Sequence, residues 1–210
     1  VIDGEKRMLD ILVKAPGGIE VVPGSSGLAR VADLSEPARA NVIDGLRDLQ
    51  EQADYIIIDT MAGIGRTAVA FTSAADEVLL ITTPEPSSIV DAYAMLKTIC
   101  TTRSDAVIRL LVNMAASQEQ ARAVAAKLSG VAQQYLGRPL PCAGFLPRDP
   151  HVSQAVMQSK PFVLAFPAAP VSKCMQLFAG RLVHQPVSTE VEREGFFKRF
   201  ARSFGAAGNA

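Results

Sequence analysis

The chain has little of what metal centres, disulfide frameworks and nucleic-acid surfaces are built from. Its two histidines, His151 and His184, are too few and too separated for a metal cluster, and ordinary surface or helix-end roles suit them. Its three cysteines, Cys100, Cys142 and Cys174, show no CxxC spacing, which favours reduced, unpaired thiols in a cytosolic protein over a structural zinc site. The 21 basic and 21 acidic residues cancel, so no global field draws in nucleic acid, and no direct nucleic-acid partner is expected. No apolar run approaches the ~20 residues of a bilayer-spanning helix, and no signal peptide or internal repeat is visible.

One further absence shapes the functional reading. Nowhere does the sequence contain a GxxxxGK[ST] loop, the glycine-rich turn that cradles nucleotide phosphates. Val1 is not a methionine, and the helix-like GEKRMLDIL pattern follows at once. The expectation is a phosphate-handling protein whose first part precedes the sequence given.

With 210 residues, 49% of them hydrophobic, the chain can bury a substantial core. Short apolar runs alternate with longer amphipathic stretches, which predicts βαβ units: an α/β fold with a mostly parallel sheet flanked by helices. Strands are expected at Ile19–Val22, Tyr55–Asp59, Glu77–Thr83, Ile108–Asn113 and Cys142–Phe145. YIIID, VLLIT and IRLLVN are apolar on both faces, as strands covered by helices on each side must be. Helices are expected at Glu36–Gln52, Arg66–Ser73, Ser87–Thr101, Gln118–Gln134, Pro150–Ser159 and Val171–Val183. Residues 1–184 then form the main domain, 185–194 a polar linker, 195–205 an amphipathic helix and 206–210 a disordered tail.

Asp59 carries the chemistry. An apolar strand ending in aspartate and followed by small residues places one carboxylate at the carboxyl end of a sheet, where open α/β folds bind ligands. Magnesium needs few protein oxygens when phosphates and water supply the rest. Ala62 and Gly63 leave room for backbone N–H groups near a terminal phosphate. A rival reading takes Gly63-Ile64-Gly65-Arg66-Thr67 as the end of a phosphate loop, but that pattern requires glycine at Thr60 and lysine at Arg66. Arginine's planar fork does not replace a compact ammonium there.

Asn113 closes the IRLLVN strand with an amide that offers donor and acceptor, the complement of an adenine edge; a turn-forming Asn is equally natural. The Pro147-Arg148-Asp149 loop also follows a strand and suits the wall of a base pocket. Near the end of the chain, Phe196, Phe197, Phe200 and Phe204 share one helical face, while Lys198, Arg199 and Arg202 lie opposite. Such a helix suits an anionic membrane surface; packing on the domain's own surface is the alternative.

The segments DYIIIDTMAGIG, ITTPEPSSIVDAYAMLK, LLVNMAASQEQARAVAAKL and GFLPRDPHVSQAVMQSKPFVLAFPAAPVSK together resemble the MinD/ParA-type P-loop ATPases. TTPEP-SS-DAY with Lys97 is most similar to the flagellar-number regulators among them. The likeness covers nearly everything from Val1 to Val183 and lacks the family's KGGxGKT loop and first switch aspartate. It implies ATP and Mg2+ as cofactors, with Asp59 organising magnesium through water and Thr60–Gly65 as a switch segment. Asn113, Pro147, Arg148 and Asp149 would hold adenine. It further implies an ATP-dependent homodimer, a flagellar regulatory GTPase or other flagellar protein as partner, and a Phe196–Phe204 helix that reaches the inner face of the cell membrane. Without the phosphate loop, the 210 residues alone are expected to hydrolyse ATP poorly and to leave apolar surface uncovered. A septum-site or cargo-positioning homologue and a non-catalytic membrane adaptor are the alternative functions.

Overall fold

A computed structural model of the protein describes residues 1–2, 4–24, 35–60, 63–184, 196 and 199–200. They belong to two compact units, Val1–Ala75 with Arg193–Ala210, and Asp76–Glu192. The boundary lies inside the 1–184 stretch expected as one domain, and the terminal segment groups with the first unit.

The first unit is mostly helical. A short 3-10 turn, Met8–Ile11, precedes a two-stranded antiparallel ribbon of β1 (Val13–Lys14) and β2 (Glu20–Val21). Ile19–Val22 was expected as a strand, and its core forms this exposed ribbon. Helix α1 (Glu36–Gln50) starts after Ser35 with Pro37 in its first turn, where the missing N–H costs nothing. Its Val42 and the Met8 of the 3-10 turn are almost fully buried. Helix α2 (Arg66–Ala74) buries Ala70, Phe71 and Ala74, against which Ile43 and Leu46 of α1 and Ile58 pack.

The stretch Tyr55–Asp59 corrects the sequence expectation. It is irregular rather than a buried strand, with Ile57 91% exposed, and no strand among the described residues pairs with it. A strand apolar on both faces is held by ladder bonds on its edges and helices over its faces. Ile58 of this run packs against the cluster of Ala70, Phe71 and Ala74.

The second unit carries the sheet. Strands β3 (Glu77–Thr82), β4 (Val107–Ala115) and β5 (Cys142–Pro147) are parallel and stand in that order. Helix α3 (Pro86–Thr102) connects the first two strands and α4 (Gln118–Leu136) the second two. Register runs from Glu77 opposite Val107 to Thr82 opposite Val112. Period two then splits β4. Ile108, Leu110 and Val112 are buried on the side of α3 and α4, where a small cleft is lined by Leu96, Cys100, Ile108, Ala132 and Leu136. Leu111 faces the other way and joins Leu79, Leu146, Val171 and Phe178. Helices α5 (Pro150–Met157), α6 (Phe162–Ala165) and α7 (Pro170–His184) follow β5, with Phe178 and Val171 of α7 covering that second face. Full burial of each such aliphatic or aromatic side chain contributes roughly 1.5–3 kcal/mol.

The contact between Met8 and α1 gives a prediction whose sign reverses the usual one. Replacing a mid-helix glycine by alanine ordinarily stabilises by about 1 kcal/mol. At Gly45 a Cβ would lie 2.8 Å from the Cβ of Met8, which no side-chain rotation relieves. Gly45→Ala is therefore expected to lower stability by about 1–3 kcal/mol in urea unfolding, the usual range for overpacking. A stabilised variant would show that the turn is not docked on α1.

Candidate functional site

Parallel strands release their carboxyl ends at one edge of a sheet. Val112 pairs with Phe145 and Ala115 with Pro147, so Asn113 and Met114 together stand opposite Leu146. The extra residue is a β-bulge, a device that re-aims side chains beside sites. Met114 has φ 56°, in the left-handed region that residues with a Cβ seldom occupy. The Asn113 Oδ1 accepts from the Met114 N–H at 2.9 Å and holds this bend. The turn-forming reading of Asn113 thus holds, yet its Nδ2 donors and one oxygen lone pair stay available.

The chain then enters α4 through a closed set of caps. The Ser117 Oγ accepts from the Gln120 N–H at 3.1 Å, and the Gln120 Oε1 accepts from the Ala116 N–H at 2.8 Å. This is a reciprocal capping pair, legible in the sequence as Ser-x-x-Gln.

The end of β5 lies alongside. The Arg148 N–H donates to the Ala115 carbonyl at 2.9 Å, tying the Pro147–Asp149 loop to the Asn113 bend. Asn113, Pro147 and Arg148 are therefore brought together. Asp149 differs. Its carboxylate accepts from the His151 N–H at 3.0 Å and from the Val171 N–H at 3.3 Å, with the His151 Nδ1 at 2.7 Å. Its side chain is 5% exposed. Both carboxylate oxygens bond within the protein. These bonds, the His151 N–H first, keep its pKa below the ordinary aspartate value.

A third corner lies at the end of β3. The Ser88 Oγ accepts from the Thr83 N–H at 2.9 Å and lies 3.2 Å from the Thr82 Oγ1, so the TTPEPSS turn is latched from within. Glu85, Pro86, Ser87 and Asp91 are exposed on it. Sequence reasoning missed Met114, the Ala115 carbonyl and this latch. Only the Thr-Thr…Ser spacing gave a signal for any of them.

Asp59 and Gly63 belong to the first unit. Asp59 is exposed, and Gly63 has φ 99° with nothing within 4 Å of a built Cβ. Its positive φ is a backbone conformation that glycine adopts without strain. Ala62 lies outside the described residues. Gly65 stands just before α2 in extended conformation, so the chain turns from Asp59 into a helix within six residues. Among the described residues no group of three or more His, Cys, Asp or Glu gathers. The candidate magnesium site is thus a single carboxylate, a pattern that fits this ion only when phosphate and water complete its shell.

Of the terminal helix, Phe196, Arg199 and Phe200 are described; Phe197, Lys198, Arg202 and Phe204 lie outside the described residues, as do the linker and the tail. These three pack within the first unit. Phe200 is fully buried and stacks on Phe71 of α2 at a centroid distance of 4.7 Å, with Phe196 stacked 5.6 Å beyond. Arg199 is also buried, and its Nε donates to the Ala74 carbonyl at 2.9 Å, capping the end of α2. The packing reading fits all three.

No protein-family model matches the chain. It is 35% identical over 187 residues to the antiactivator FleN of Pseudomonas aeruginosa, covering 89% of this chain and 67% of that protein. It is 30% identical over 210 residues to the flagellum site-determining protein YlxH of Helicobacter pylori, covering 97% and 71%. The septum site-determining protein MinD of Pyrococcus horikoshii, solved with Mg-ADP, superposes with TM-score 0.65 at 16% identity, over 91% of this chain and 74% of that one.

The bonds on Asp149 set a pH dependence. Because its pKa falls on folding, its stabilisation is fully present above the ordinary aspartate value near ~3.9 and is lost as pH drops through the lower folded value. The melting midpoint of the wild type is expected to fall in that acid window, and Asp149→Asn should flatten this part of the curve. Parallel curves for the two proteins would contradict the bonding described.

Proposed function

The chain belongs to the MinD/ParA-type ATPase family, close to FleN among its flagellar regulators, and from that premise we propose a nucleotide-dependent switch that sets flagellar number at the membrane. The observation that carries the nucleotide half is the bulged Asn113 bend bonded to the Pro147–Arg148 loop at the carboxyl edge of a parallel sheet. Two short walls of backbone with one amide between them suit a flat purine. Asn113 donates from Nδ2 to a ring nitrogen, and the flanking carbonyls accept from the exocyclic amine. Asp59 would hold magnesium through water and Thr60–Gly65 would carry the γ-phosphate contact; the bound ion would supply charge neutralisation on the phosphates. The described residues form no phosphate cradle, so the grip on the phosphates comes from outside them.

The membrane half rests on α2. The segment that would sense the γ-phosphate runs straight into this helix, and Phe71, six residues after Gly65, stacks on Phe200. The apolar face that covers α2 is the face that an anionic bilayer would take. The two uses exclude each other, which is what a switch requires. ATP-driven pairing of two copies, release of the terminal helix and a flagellar regulatory partner complete this reading, with the protein cytoplasmic and peripheral to the inner membrane face. The domain role of 1–184 and the targeting role of 195–205 belong to the same proposal.

Flotation with phosphatidylglycerol-containing liposomes tests it. Mg-ATP is expected to raise the floated fraction, and Asp59→Ala to remove that dependence. Phe71→Ala should float without ATP, because the terminal helix loses its ring partner. Flotation indifferent to ATP and to Phe71→Ala would sink the proposal.

A further inference from the structure

Asp149 makes more bonds than its place at the head of a helix requires. An aspartate cap uses one oxygen on a nearby N–H, and the Oδ1 bond to the His151 N–H does this for α5. The second oxygen does something else: it accepts from the N–H of Val171, 22 residues on, in the first turn of α7. The same carboxylate also meets the His151 Nδ1, and the His151 ring lies 4.8 Å from that of Phe166, just before α7. One nearly buried carboxylate therefore joins the starts of two helices to the end of β5. Its negative charge sits at two helix amino termini, where the aligned peptide dipoles favour it.

We propose that Asp149 is a positioning residue whose carboxylate clasp holds the Pro147–Arg148 backbone at the spacing from Asn113 that a purine needs. The link runs through the Arg148 N–H bond to the Ala115 carbonyl, which closes the loop onto the Asn113–Met114 bend. Met114 stays at positive φ only while its surroundings over-determine it, so loosening this edge lets the bend relax. Asp149 touches no ligand in this scheme. It acts on affinity through the two backbone walls, and the proposal rests on the nucleotide reading above.

The test separates clasping from capping. Asp149→Ser retains a good helix cap but cannot reach the Val171 N–H. Mg-mant-ATP affinity, the thermal midpoint and hydrogen exchange of residues 113–118 and 146–149 are measured on the full chain. Asp149→Ser is expected to fold with a lowered thermal midpoint, bind mant-ATP roughly tenfold more weakly, and exchange faster at both segments, as loss of a charge-assisted bond implies. Wild-type affinity with wild-type exchange overturns the proposal. Should Asp149→Ser not fold, the near-isosteric Asp149→Asn, which lacks the second acceptor, decides by the same readouts. If the wild type binds no mant-ATP, the nucleotide reading falls and the exchange rates alone decide: unchanged exchange overturns the clasp, and faster exchange upholds it.

Discussion

The parallel register of β3, β4 and β5 is the constraint on which the base end of the site depends. Parallel strands with helical crossovers must all release their chain at the same edge, so Thr82, Asn113 and Pro147 end there together. Each exit is then fixed by a different local device. Ser88 latches the first, the Asn113 amide bends the second, and Asp149 clasps the third. None of these devices has meaning without the ladder that brings the exits side by side. The buried faces of β4 keep the ladder in place, because a one-residue slip would turn Leu110 and Leu111 each to the wrong side.

The sheet of the second unit was legible in the sequence because its signals are local and agree with one another. VLLIT and IRLLVN are apolar on both faces, and Val78, Leu80, Leu110, Leu111 and Val112 are buried, although Ile81 stays 53% exposed. The Ser117–Gln120 pair announces α4, and Pro150 after Asp149 announces α5. YIIID carried the same signal and gave a different outcome. An apolar pattern encodes what a strand needs around it, not whether those neighbours are present, and Tyr55–Ile57 stand exposed where no described strand pairs with them. The bonds that Asp149 makes within the protein were not legible in the sequence. A bond to Val171 leaves no periodic trace, since it joins a side chain to a backbone group far along the chain. Gly45 against Met8 is similarly silent.

The phenylalanine-rich terminus shows a deeper ambiguity. A helix with rings on one sector and cations on the other satisfies a bilayer surface and a protein groove by the same physics, the removal of apolar area from water. Composition alone cannot rank the two. The packing of Phe200 on Phe71, and the Arg199 bond to the Ala74 carbonyl at the end of α2, assign the described part to the groove. Under the proposed switch, a bilayer would take this face only when something weakens the groove, and α2 begins at the segment where nucleotide would act.

The account turns on a purine lying between the ends of β4 and β5. Photolabelling with an azido-ATP probe, followed by peptide mapping, examines this directly. Label on the peptides that contain Asn113–Ser117 and Phe145–His151, displaced by ATP and not by GTP, is the predicted result. Label confined to other peptides, or displaced equally by GTP, would contradict it.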